Sequence, residues 1–138
     1  MGDRTDLERF NGYLARFSQM AGVPVAALNA EGYTQVVRGS ATIGISVLFD
    51  KGFLLLLSPM MESPSRHQAE LFRALLELNY LRTEEAAFAI DRESGRIYLR
   101  ALRSLDLLDF DQLCELLDTV ARIADEWDDK LRSQFGSA

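Results

Sequence analysis

Cysteine is nearly absent from this sequence of 138 residues, and long hydrophobic runs are absent too. Cys114 stands alone, so no disulfide can form within the chain, and a reducing compartment such as the cytoplasm is expected. The longest apolar run, residues 53–57, is far shorter than the roughly 20 residues that a membrane-spanning helix needs. The N-terminal residues are charged and have no apolar centre, so we expect neither a signal peptide nor membrane insertion.

Histidine is also scarce, since His67 is the only one. Metal and catalytic sites need several converging groups, and a lone histidine beside Arg66 does not supply them. Cys114 lies among leucines and aspartates, which raise the pKa of a thiol. The glycines stand singly and form no phosphate-binding loop. We therefore expect no catalytic residue, no metal and no cofactor, and an enzyme built on His67 and Cys114 is the weakest alternative.

Positive charge is in short supply as well. Fifteen lysines and arginines face 21 aspartates and glutamates, which gives a net charge of -6. A polyphosphate chain attracts basic proteins, so nucleic acid is not an expected partner. The remaining composition, 48% hydrophobic and 26% charged, is typical of globular proteins. Residues 1–138 are therefore expected to form a single domain.

Two helices are predicted at the ends of the chain. The first begins at a capping box of Thr5 and Glu8 and ends before Gly22 and Pro24. Its apolar residues share one stripe because their spacing is three and four: Leu7, Phe10, Leu14 and Phe17. The last helix begins after Asp109, whose side chain suits the N-cap position.

Short β-prone runs separated by turn residues predict strands between these helices. Four runs precede the middle of the chain: residues 25–29, 33–38, 42–49 and 53–58. A hairpin follows over residues 86–91 and 96–102, with Gly95 in its turn. Sequential hairpins give antiparallel pairing, so the expected class is α+β, an antiparallel sheet packed with helices, in the order α-β-β-β(-β)-α-β-β-α.

A further helix is predicted from a cap at Ser63 or Ser65 to Leu81. Its apolar residues cover about half of the circumference, which is wider than the stripe that a one-sided helix needs. An exposed surplus of this kind normally marks an interface. We therefore expect a homodimer, although a sheet that wraps the helix is an alternative.

Several segments together resemble a known family. They are residues 75–80 (LLELNY), 87–91 (AFAID), 95–99 (GRIYL), 108–111 (LDFD) and 124–127 (ADEW). This pattern of a leucine-asparagine helix, a hairpin and an acidic-aromatic helix is similar to the Tir-chaperone family, the class I chaperones of bacterial type III secretion. The related YbjN-like proteins share it.

The resemblance implies a non-enzymatic, acidic, cytoplasmic homodimer that binds an extended segment of a secreted effector. An extended client can add a strand to an open sheet edge and place apolar side chains in nearby grooves. The client-binding candidates are Leu7, Phe10, Leu14, Phe17, Val36, Val37 and Ile45. The dimer-interface candidates are Leu55, Leu57, Phe72, Leu75, Leu76 and Tyr80. Core packing is the alternative for each of these residues.

A second function stays open at this point. A YbjN-like adaptor would bind a folded bacterial partner and would have no secretion client. The same segments support both functions, and genes beside this one would separate them.

Overall fold

The computed structural model describes residues 3–136, which form three helices and five strands. The elements are α1 (Asp3–Ala21), β1 (Tyr33–Arg38), β2 (Ala41–Leu48), β3 (Phe53–Glu62), α2 (Gln68–Leu81), β4 (Ala87–Ile90), β5 (Arg96–Ser104) and α3 (Phe110–Phe135). The five strands form one sheet in the order β1-β2-β3-β5-β4, and all neighbours are antiparallel. The predicted α+β class and order of elements are confirmed.

One face of the sheet forms the core because side chains alternate along each strand. Ile43, Ile45, Leu54 and Leu56 point to this face and are fully buried. Helix α3 packs across β2, β3 and β5, and α1 packs beside α3. The strong amphipathic pattern of α3 therefore explains why it covers the sheet. As predicted, its N-cap is Asp109, whose side chain accepts a hydrogen bond from the backbone of Gln112.

The opposite face of the sheet is less well covered. Leu55 and Leu57 are half-buried there, and Phe53 and Leu102 are exposed. The apolar run at residues 53–57 thus buries only its alternate side chains completely.

Within residues 3–136, no helix combines the length and apolar character that crossing a bilayer requires.

The strand predicted at residues 25–29 is wrong. Pairing starts where the Asn29 N–H donates to the Tyr33 carbonyl at 2.9 Å, but it goes no further. The Leu28 N–H donates to the Asn11 side chain, and the Ala26 carbonyl accepts from the Thr34 hydroxyl, each at 2.9 Å. Hydrogen bonds from side chains thus replace the backbone hydrogen bonds of a strand pair, as is common for asparagine and threonine in irregular segments.

Several predicted boundaries also differ. Thr5 lies inside α1, which begins two residues earlier, so it is not the cap. Strand β3 continues through Pro59 to Glu62, with a register shift near Pro59. Helix α2 begins at Gln68, after His67 at the N-cap position with φ of 60°. Neither Ser63 nor Ser65 is therefore the cap of α2, and the Ser63 hydroxyl instead donates to the carbonyl of Gly95.

Candidate protein-binding surfaces

The outer edge of β1 carries unpaired backbone groups. The Val47 N–H donates to the Gly32 carbonyl at 2.8 Å, which fixes the alternation along the β1 and β2 register. The backbone groups of Gln35 and Val37 therefore point away from β2. Within residues 3–136 they have no hydrogen-bond partner, and both residues are exposed. An edge of this kind is a template for another strand.

One position on the opposite edge of the sheet, at β4, is occupied by a side chain. The Asn79 carboxamide on α2 accepts from the Phe88 N–H at 2.8 Å and donates to the Phe88 carbonyl at 3.2 Å. The Asp91 N–H donates to the Arg96 carbonyl, so positions 91, 89 and 87 bond to β5, and the Phe88 groups between them point away from it. Asn79 thus occupies the place that a further strand would take at this point.

A groove lies where β1 begins. Leu7 of α1 and Phe49 after β2 line it, together with the turn at residues 29–32 and residues 47, 48 and 50, and its volume is about 610 Å³. We call it the Leu7–Phe49 groove. Its apolar lining beside an open strand edge suits a side chain of an extended polypeptide.

The structure divides the predicted client-binding residues into two groups. Five of them lie in the core and are almost completely buried: Phe10, Leu14, Phe17, Val36 and Ile45. Leu7 lines the groove, and Val37 is exposed on the open edge. Only Leu7 and Val37 are therefore placed to contact a partner without a rearrangement of the core.

Helix α2 presents an apolar surface away from the core. Leu76 is 70% exposed and Tyr80 is 83% exposed, while Phe72 is partly exposed beside them. We call these three residues the α2 face. Leu75, predicted with them, is buried in the core, and Leu55 and Leu57 lie half-buried on the outer face of the sheet.

The groups with catalytic potential are dispersed. His67 is largely exposed, and its Nδ1 lies 3.5 Å from a carboxylate oxygen of Glu70. The pKa of Glu70 is lowered, first by a backbone hydrogen bond and then by His67. Burial, followed by Asp118 and Asp111, raises the pKa of the Cys114 thiol, which disfavours the reactive thiolate. Residues 3–136 contain no group of three side chains suited to hold a metal ion.

Comparison with known proteins identifies the family. The sequence model of the Tir chaperone protein (CesT) family matches residues 12–128. The chain belongs to the Tir chaperone family. This match spans most of the chaperone, from the middle of α1 to the last turns of α3, so it includes both sheet edges and the α2 face. No curated protein matches the sequence.

Solved structures share the fold of this chaperone. A chain of the ExsC-ExsE complex is 22% identical with a TM-score of 0.74, covering 91% of this chain and 95% of that one. A chain of the HopA1-SchA chaperone-effector complex is 16% identical with a TM-score of 0.71, covering 92% and 98%. A third structure is that of the Yersinia pestis type III secretion chaperone SycH in complex with a stable fragment of YscM2. Its matching chain is 14% identical with a TM-score of 0.62, covering 85% of this chain and 98% of that one.

Sequence reasoning missed two asparagines that shape the sheet edges of this chaperone. Asn79 occupies the outward backbone groups of Phe88 on the β4 edge, and Asn11 holds the segment before β1. Both occur on helices, where asparagine is an unfavourable choice, and this was the available signal. Asn79 also lies on the apolar side of α2, where a polar residue needs a hydrogen-bond partner.

Proposed function

We propose that this protein is a non-enzymatic chaperone that binds an extended segment of a secreted effector, as a strand added to β1. Membership of the Tir chaperone family supports the class of function. The open backbone groups of Gln35 and Val37 are the observation that carries the binding mode. Structures with the same fold come from chaperone complexes, including one described as a chaperone-effector complex.

The β1 edge provides main-chain affinity for such a segment. Gln35 and Val37 offer two N–H groups and two carbonyls, so a client strand forms up to four hydrogen bonds with them. Alternate client side chains then point to the two faces of the sheet. Since the Leu7–Phe49 groove lies at the start of β1, an apolar client side chain beside this end can be buried in the groove.

The β4 edge is the less suitable edge for a client. Asn79 already occupies both outward-pointing groups of Phe88, so a client strand would first have to displace this carboxamide. Breaking two hydrogen bonds costs free energy that the β1 edge does not require. We therefore assign the client to β1.

We further propose a cytoplasmic homodimer, with the α2 face at its interface. Leu76 and Tyr80 expose large apolar side chains next to each other on one helix. Covering such a surface with a second copy removes it from water, which is worth about 25 cal/mol for each Å². Leu55 and Leu57 on the outer sheet face stay candidates for the same interface. The YbjN-like adaptor function also stays a prediction.

Proline at the open edge tests the binding mode. Gln35→Pro removes one outward N–H and places a ring where the client strand would lie, while the β1–β2 ladder keeps its own bonds. We expect the variant to fold and its affinity for a client strand to fall by at least about tenfold. The client is first identified by co-purification from the source cells, and binding is then measured by isothermal titration calorimetry.

Gln35→Ala is the matched control, because it changes the same side chain and keeps the N–H. It should bind like the unmodified protein. Equal affinities for the proline and alanine variants would place the client elsewhere on the chaperone.

A further inference from the structure

The segment at residues 25–29 ends in a turn built for a hairpin. The Gly32 N–H donates to the Asn29 carbonyl, and the Asn29 N–H donates to the Tyr33 carbonyl, each at 2.9 Å. Gly32 has φ of +78°, and a Cβ atom added there would lie 2.6 Å from the Val47 carbonyl oxygen. A three-residue loop with glycine in the left-handed region is a common connection between paired strands. The turn therefore directs residues 25–29 back along the outer edge of β1.

Continuation of this hairpin would close the edge that the proposed client uses. Counting from the Asn29 and Tyr33 pair, Ala27 would face Gln35 and Val25 would face Val37. Those positions would bond to the outward backbone groups of Gln35 and Val37. Residues 25–29 carry no charge, and Val25 favours a strand, so the paired form can compete with a client for this edge.

Two side chains bond to this segment in its unpaired form, and Val25 packs against the core there. Asn11 on α1 accepts from the Leu28 N–H, and the buried Thr34 side chain donates to the Ala26 carbonyl. Thr34 points to the core face of the sheet, so its bond draws Ala26 toward that face. Asn11 draws Leu28 toward the helix in the same way. Residues 25–28 consequently lie out of the plane of the sheet, and the outward backbone groups of Gln35 and Val37 stay unpaired.

We propose that residues 25–29 are a latent edge strand and that Asn11 and Thr34 are positioning residues that hold it away from β1. The proposal rests on the proposed function, since it explains how the client's edge is kept free. Loss of both contacts lets the segment pair with β1. The protein's own chain then competes with the client for one edge.

Amide hydrogen exchange on the client-free protein tests the proposal. Each lost hydrogen bond shifts the balance toward the paired form by about fivefold, so Asn11→Ala with Thr34→Val shifts it by about 25-fold. We expect slower exchange at the amides of Gln35 and Val37 in this double variant. A merely structural loss would change exchange in the opposite direction, because destabilised segments exchange faster.

The matched control keeps both contacts. Asn11→Asp retains an acceptor and Thr34→Ser retains the hydroxyl, so this pair should exchange like the unmodified protein. Unchanged or faster exchange at Gln35 and Val37 in the first pair would overturn the proposal. Asn11→Ala alone, on a helix that tolerates alanine, gives the same test with a smaller shift if the double variant does not fold.

This experiment is separate from the test of the proposed function because it contains no client. Slower exchange in the double variant supports the latent strand even if proline at Gln35 leaves client binding intact. In that case residues 25–29 would pair with the β1 edge when released, but the client would bind elsewhere. The affinity of an identified client should fall in the double variant only if both proposals hold.

Discussion

Phe17→Ala is expected to lower the free energy of unfolding by about 3–5 kcal/mol. Phe17 is 2% exposed and belongs to the core beneath the sheet, with the Arg38 guanidinium 5.4 Å from its ring centroid. Removing the ring leaves a cavity that the surrounding helices and strands fill only in part. Urea denaturation followed by the fluorescence of Trp127 measures the change.

Met20→Ala is the matched control on the same helix. Met20 is 63% exposed, so its truncation should alter the unfolding free energy by no more than about 0.5 kcal/mol. The pair also separates two roles for the stripe of α1. If Phe17→Ala left stability unchanged and reduced client affinity instead, Phe17 would be a binding residue and its place in the core would be contradicted.

Leu76→Glu is expected to weaken the proposed homodimer by about 100-fold in dissociation constant. The substitution puts a carboxylate in the middle of the α2 face, between Phe72 and Tyr80. In a twofold dimer the same charge appears on both copies, so the single interface buries two carboxylates and pays their desolvation cost twice. Light scattering after size-exclusion chromatography at micromolar concentration should show a dimer before the substitution and a monomer after it.

Leu107→Glu is the control for a charge on an exposed leucine. Leu107 is 76% exposed and lies before α3, outside the α2 face. It should leave the oligomeric state unchanged. A monomer before any substitution, or a dimer that survives Leu76→Glu, would contradict the proposed interface.

Periodicity was sufficient to predict most of the fold. The spacing of apolar residues in α1 and α3 and the alternation in β2 and β5 reflect local geometry, which a sequence displays directly. The N-cap at Asp109 was equally local, since it involves a residue only three positions further on. Antiparallel pairing of β1 with β2, of β2 with β3 and of β4 with β5 followed from short connections, whereas the pairing of β3 with β5 did not.

The missing strand shows what periodicity does not reveal. Residues 25–29 were predicted as a strand, but Asn11 acts on Leu28 from a helix 17 positions earlier. The start of α2 was misplaced for a similar reason, because Ser63 bonds to Gly95 on the distant β4–β5 turn. Contacts between remote positions decided both outcomes, and a local pattern carries no record of them.

The candidate site was the harder prediction because an apolar stripe has the same spacing whether it faces a core or a partner. Phe10, Leu14 and Phe17 fill the core, whereas Leu7 on the same stripe lines a groove. Which strand became an edge depended on the whole sheet. The open groups of Gln35 and Val37 could therefore be found only once the strand order was known.

Amide exchange in the client complex tests the central claim most directly. The claim is that this chaperone holds a client as a strand along β1. When the client identified from the source cells is bound, the amides of Gln35 and Val37 should exchange at least about tenfold more slowly than in the free protein. Exchange that stays the same at both amides while the client is fully bound would contradict the account.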